Sequence, residues 1–135
     1  MAETLEGRPQ DIIAAKNYAH VSIPREDGTV QTVIVWADAA DGKVTLNSAE
    51  GRTWPENLRK AGTATVTVMA DNDPYEWVSV TGRLSEDTHE GADAHIDSFA
   101  KKYLDADSYP YRQPGEQRIK FVLTPERVHY QPPMH

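Results

Sequence analysis

The chain has 135 residues, a formal net charge of -7 and no cysteine. That length suits one domain over residues 1–135 with a real core, and is too short for two. The acidic balance argues against a nucleic-acid binder, and the missing cysteines exclude disulfides, thiolate nucleophiles and cysteine-ligated metals or clusters. Met1 to Gln10 lacks the apolar run of a signal peptide and no stretch reaches membrane-spanning length, so a soluble, cytoplasmic protein is expected.

Pro9 to Lys16 reads as a short helix with Ile12, Ile13 and Lys16 near one face. From Tyr18 to Ile23 the residues alternate, with Ala19, Val21 and Ile23 on one side, as in a half-buried strand that Pro24 ends. An Asp27-Gly28 turn leads into the β-branched and aromatic run Val30 to Ala37, which predicts a hairpin. Asp41-Gly42 repeats the device ahead of Lys43 to Asn47, so a three-stranded meander is expected.

Next comes the stretch with the sharpest chemistry, Asn47 to Gly62. Thr53 and Glu56 have the capping-box spacing, Pro55 suits a first turn, and Gly62 suits a left-handed cap. A helix therefore starts at Thr53. Its unpaired amides and positive dipole end, with Arg52 just ahead, suit an anion such as phosphate. Taken alone, though, the stretch is more economically an ordinary capped surface helix. Trp54, in the first turn, is expected partly exposed.

Thr63 to Met69 alternates threonines with Ala64, Val66 and Val68, and Tyr75 to Leu84 follows as a long strand in which Gly82 marks a bulge or close approach. Asp87 to Glu90 resembles a helix start, and Ile96, Phe99, Ala100 and Tyr103 mark one face of a helix from about Glu90 to Leu104. Ser108 to Gly115 carries two prolines and a glycine and is read as a loop. Arg118 to Thr124 completes six strands. Antiparallel strands with one helix inserted between them and another before the last fit a mainly β fold, a small closed or split β-barrel with helices at its edges.

His89 and His95 lie six apart on one expected helix, off the shared face that two metal ligands need. Glu90, Asp93 and Asp97 read as solvating charge, and Trp36 and Trp77 as packing residues on strands. No nucleophile elbow, Walker loop or dinucleotide fingerprint is present.

The order of elements, with Asn47-x-x-x-x-Arg52-x-Trp54-x-x-Asn57-Leu58-Arg59-Lys60, then Asp73-Pro74-Tyr75-Glu76-Trp77-Val78 and Gly82-Arg83, resembles the pyridoxamine 5′-phosphate oxidase-like split-barrel superfamily. The closer likeness is to its actinobacterial flavin and deazaflavin oxidoreductases of group B, which use coenzyme F420. The resemblance implies a homodimer with the cofactor at the subunit interface, acting on a small-molecule substrate with neither nucleic acid nor membrane as partner. It assigns the cofactor's phosphate end to Asn47, Ser48, Arg52, Thr53, Trp54 and Asn57, and its planar ring to Gln31, Thr32 and Val33. Trp77, His95 and Tyr109 would close the pocket from the partner subunit. Several relatives carry a lysine two residues after the arginine, where this chain has Trp54. The implied activity is an F420-dependent reductase, with an FMN-binding oxidase or a non-catalytic flavin or tetrapyrrole binder as alternatives.

Overall fold

In the computed structural model, which describes residues 3–133, three helices and seven strands form one curled sheet with helices at its margins. The elements are α1 (Gly7–Ala14), β1 (Ala19–Pro24), β2 (Val30–Val35), β3 (Ala37–Ala40), β4 (Lys43–Ala49), α2 (Thr53–Ala61), β5 (Thr63–Ala70), β6 (Asp73–Thr88), α3 (Ala92–Leu104) and β7 (Arg118–Gln131). None of these helices is long and apolar enough to cross a membrane.

The strand order is β2-β1-β5-β6-β7-β4-β3, and every pairing is antiparallel. The outermost strands β2 and β3 are consecutive in the chain, with Trp36 alone between Val35 and Ala37. Two residue steps span roughly 7 Å, so the sheet has to curl until its edges meet at Trp36. No pairing joins β2 to β3 among the described residues, which leaves the barrel split there. The expected three-stranded meander is thus corrected: β1–β2 and β3–β4 are separate hairpins at opposite ends of the sheet. The expected six strands become seven because the run from Val30 breaks at Trp36 and Ala37–Ala40 forms a strand of its own.

Alternation fills the barrel. Val21 and Ile23, Leu46, Val66 and Val68, Val78 and Val80, and Ile119, Phe121 and Leu123 are all fully buried. A smaller cluster of Ile96, Phe99 and Tyr103 lies under α3, with Trp36 and Tyr109 packed against it. The Tyr103 hydroxyl donates to the Asn17 carbonyl at 2.7 Å and accepts from the Ala37 N–H at 3.1 Å, tying α3 to the corner where the barrel splits.

Several local expectations need correction. Position Arg52, not Thr53, is the N-cap of α2, and no side chain caps it, so the capping box does not form; Gly62 does close the helix in the left-handed region at φ 70. Helix α3 begins after Gly91, while Asp87 and Thr88 still belong to β6 and His89 lies on no helix. Lys16 falls beyond α1 and is exposed. Trp54 is buried and packs on Phe121 at 5.7 Å, because the first turn of α2 covers one end of the core.

Candidate functional site

A cleft of about 340 Å³ opens between the start of α2, the Trp36 corner, α3 and the loop before β7. Its walls are aromatic and apolar. Trp36 stacks on Tyr103 at 5.2 Å with the rings 6° from parallel, and meets Tyr109 edge-on at 6.1 Å. Tyr109 in turn meets Tyr111, and Tyr18 stacks on Tyr103. Ile34 and Val35 from β2 and Ile96 and Phe99 from α3 complete the lining. Flat rings set parallel or edge-on suit a planar ligand.

The loop that carries the two tyrosines is pinned to α3. Asp97 accepts from the Tyr109 N–H at 2.9 Å and from Arg112 at 2.8 Å, and Arg112 also pairs with Asp93 at 3.2 Å. Asp93 and Asp97 thus hold the aromatic wall rather than merely solvating a helix face.

One end of the cleft is polar. Arg52 stands half exposed at the head of α2, whose N-terminus has no side-chain cap among the described residues. Opposite it, Arg118 is buried: its Nε donates to Asn47 Oδ1 at 2.9 Å, its Nη1 donates to Glu116 Oε1 at 2.8 Å, and its guanidinium lies 5.0 Å from the Tyr109 ring centre. The Asn47 amide, so oriented, donates through Nδ2 to the Ala92 carbonyl at 3.0 Å and to His95 Nδ1 at 2.9 Å. His95 therefore carries its proton on Nε2, a buried nitrogen with no hydrogen-bond partner among the described residues. Burial first, and then the charges of Lys120 and Arg118, push its pKa down to about 4. His95 is neutral at pH 7.

Four residues singled out from the sequence, Asn47, Arg52, Trp54 and Tyr109, line this cleft. Thr53 is exposed in the first turn of α2, and His95 stands behind Asn47. Ser48 points to the other side of β4 from Asn47; it is fully buried and its hydroxyl has no partner among the described residues. Gln31 accepts from Asn57 at 2.7 Å, a bridge between β2 and α2, while Thr32 bonds Ser22 and Val33 packs on the main core. The cleft takes Ile34 and Val35 from that strand instead. Trp77 lines a different cleft with His20, Thr67, Met69, Pro74 and Ser79. Among the described residues no group of three or more potential ligands could hold a metal.

Sequence reasoning missed Arg118 and Glu116. Arg118 opens an apolar strand, where a cation reads as a boundary residue, and its partner Asn47 is 71 positions away.

No family model and no curated protein matches the chain. Solved structures do. An F420 reductase superposes with a TM-score of 0.78 at 17% identity, covering 92% of this chain and 98% of that one. A conserved hypothetical protein from Mycobacterium tuberculosis gives 0.71 at 15% identity, over 100% and 94% of the two chains. A Listeria innocua protein assigned provisionally as a pyridoxamine 5′-phosphate oxidase gives 0.67 at 14% identity, over 89% and 92%. At such identities the likeness is one of fold. The chain has the split-barrel fold of the pyridoxamine 5′-phosphate oxidase-like proteins.

Proposed function

We propose that this chain is an F420-dependent reductase that works as a homodimer, with the deazaflavin held in the cleft between Arg52 and the aromatic wall. The observation that carries the reading is the continuity of the two: a cation and uncapped helix amides at one end, stacked and edge-on rings along the rest. An anionic tail on a flat ring system is the ligand chemistry that uses both. The volume falls within the roughly 300–1,000 Å³ of small-molecule sites, and the fold neighbour described as an F420 reductase supports the choice.

When bound, the reduced deazaflavin supplies a hydride for an electron-poor conjugated substrate. The chain's own residues bind and orient. Arg52 and the α2 amides would hold the anionic tail, Trp36 and Tyr109, in edge-on contact with each other, would wall the ring on one side, and Arg118 steadies Tyr109 with its guanidinium 5.0 Å from the ring centre. Asn47, itself bonded to neutral His95, holds Arg118 in place, and neither offers a charged acid or base, in keeping with chemistry carried by the cofactor.

FMN is the second reading, because a single terminal phosphate suits the same anion end and one fold neighbour is provisionally described as a pyridoxamine 5′-phosphate oxidase. A fluorescence titration with F420 and with FMN decides between them. Arg52→Ala should weaken binding of the preferred cofactor by roughly 1.5–3 kcal/mol, the worth of a hydrogen bond to a charged group, with an unchanged circular dichroism spectrum. Unchanged affinity would refute the site.

A further inference from the structure

A carboxylate stands just behind the polar end of the cleft, against the two arginines that line it. Glu116 Oε1 accepts from Arg118 at 2.8 Å and lies 3.8 Å from Arg52 Nη2, so one oxygen is set between the two arginines that line the cleft. Its side chain is only 8% exposed. We infer that Glu116 is a built-in stand-in for the anionic group of the ligand, which enters the Arg52–Arg118 pair by displacing it. This rests on the cleft being the anion site proposed above.

Three features support displacement. An anion on Arg52 would approach the Glu116 carboxylate, and like charges a few ångströms apart in a partly buried cleft repel strongly. The second oxygen of Glu116 is held weakly, accepting from the Gln113 N–H at 3.3 Å. The residue directly follows an exposed turn, 111–115, whose Gly115 sits in the left-handed region at φ 74. With its neighbours in that turn exposed, the Glu116 side chain can rotate towards solvent while Arg112 keeps the loop on α3 and Arg118 keeps its bond to Asn47.

Glu116 thus sets which ligands enter. It repels weak or poorly placed anions, and it compensates two guanidinium groups that would otherwise stand side by side at the polar end of the cleft. A ligand must present an anion that makes better use of both arginines than one carboxylate does, as a phosphate or phosphodiester with several oxygens can.

The test compares wild type, Glu116→Gln and Glu116→Ala in fluorescence titrations. The probes are F420 and FMN, each beside its phosphate-free counterpart, the deazaflavin chromophore alone and riboflavin. Both variants should bind the phosphate-bearing probe at least roughly fivefold tighter, the direction expected when a repelling charge is removed, and the phosphate-free one unchanged. Equal or weaker binding of the phosphate-bearing probe, with the phosphate-free one unchanged, overturns the inference and makes Glu116 a simple prop for Arg118. In that event Arg52→Ala still tests the cleft separately. Failure of phosphate to improve binding in any variant, or binding of no probe at all, overturns the anion site and this inference together.

Discussion

His95 shows how much a single buried group can set. Its pKa of about 4 lies below the ordinary 6.5, so the unfolded chain binds the extra proton first as pH falls. The stability that neutral His95 contributes is therefore complete above about pH 6.5 and is lost as pH drops towards 4. Glu50 and Glu76 act in a lower window. Hydrogen bonds from Arg59 and His89 hold Glu50 down at about 2, and hydrogen bonds from Arg8 and Tyr130 do the same for Glu76, so their contributions fade only between about 4.5 and 2. The two windows separate the effects. His95→Gln should flatten the fall of the urea midpoint between pH 6.5 and 4 and leave the steeper loss below pH 4 in place; a slope unchanged across the upper window would show that His95 is not the titrating group.

At the scale of elements, the long β6–β7 pair depends on one glycine. Their register shifts between Thr81 and Gly82, and a Cβ on Gly82 would stand 3.1 Å from both Leu123 Cβ and the Thr124 carbonyl oxygen. Gly82→Ala should therefore destabilise the fold by roughly 1–3 kcal/mol through overpacking, read from chemical unfolding; a midpoint equal to wild type would mean the strands part without cost. Gly82 was legible in the sequence because a glycine inside an alternating strand has few other uses. The far ends of the same strands were not: beyond Leu84 and Thr124 the chain runs Ser85-Glu86-Asp87 and Pro125-Glu126-Arg127, polar stretches through which backbone pairing continues, and in β7 the alternation resumes only at Val128 and Tyr130. Strand β3 was equally silent, being four residues of alanine and aspartate. The site divides the same way. Arg52 and Asn47 could be found beside a helix start, whereas the Glu116, Arg118, Asn47 and His95 chain joins β4, α3 and β7 through contacts between residues far apart in sequence.

At the scale of the whole molecule, the single chain leaves an apolar rim around the mouth of its cleft. Ile34 is 65% exposed, Tyr111 59% and Tyr18 52%, and all three line the cleft; Val30, on the same face of β2 as Ile34, is 57% exposed. Strand β2 is also a sheet edge, paired on one side only, and such edges are normally covered or charged. A rim of this kind around an open slot is what a second copy would cover, and covering it would exclude water from a bound ring. The proposed homodimer should then sediment at twice the 15.1 kDa of one chain. Ile34→Glu would place a new carboxylate in the rim of a chain whose net charge is already -7. It should shift sedimentation towards the monomer and weaken cofactor binding together, while the circular dichroism spectrum stays unchanged, because the side chain lies outside both buried clusters. A wild-type monomer at tens of micromolar that still binds cofactor fully would show that one chain completes the site by itself, and the dimer proposal would fall.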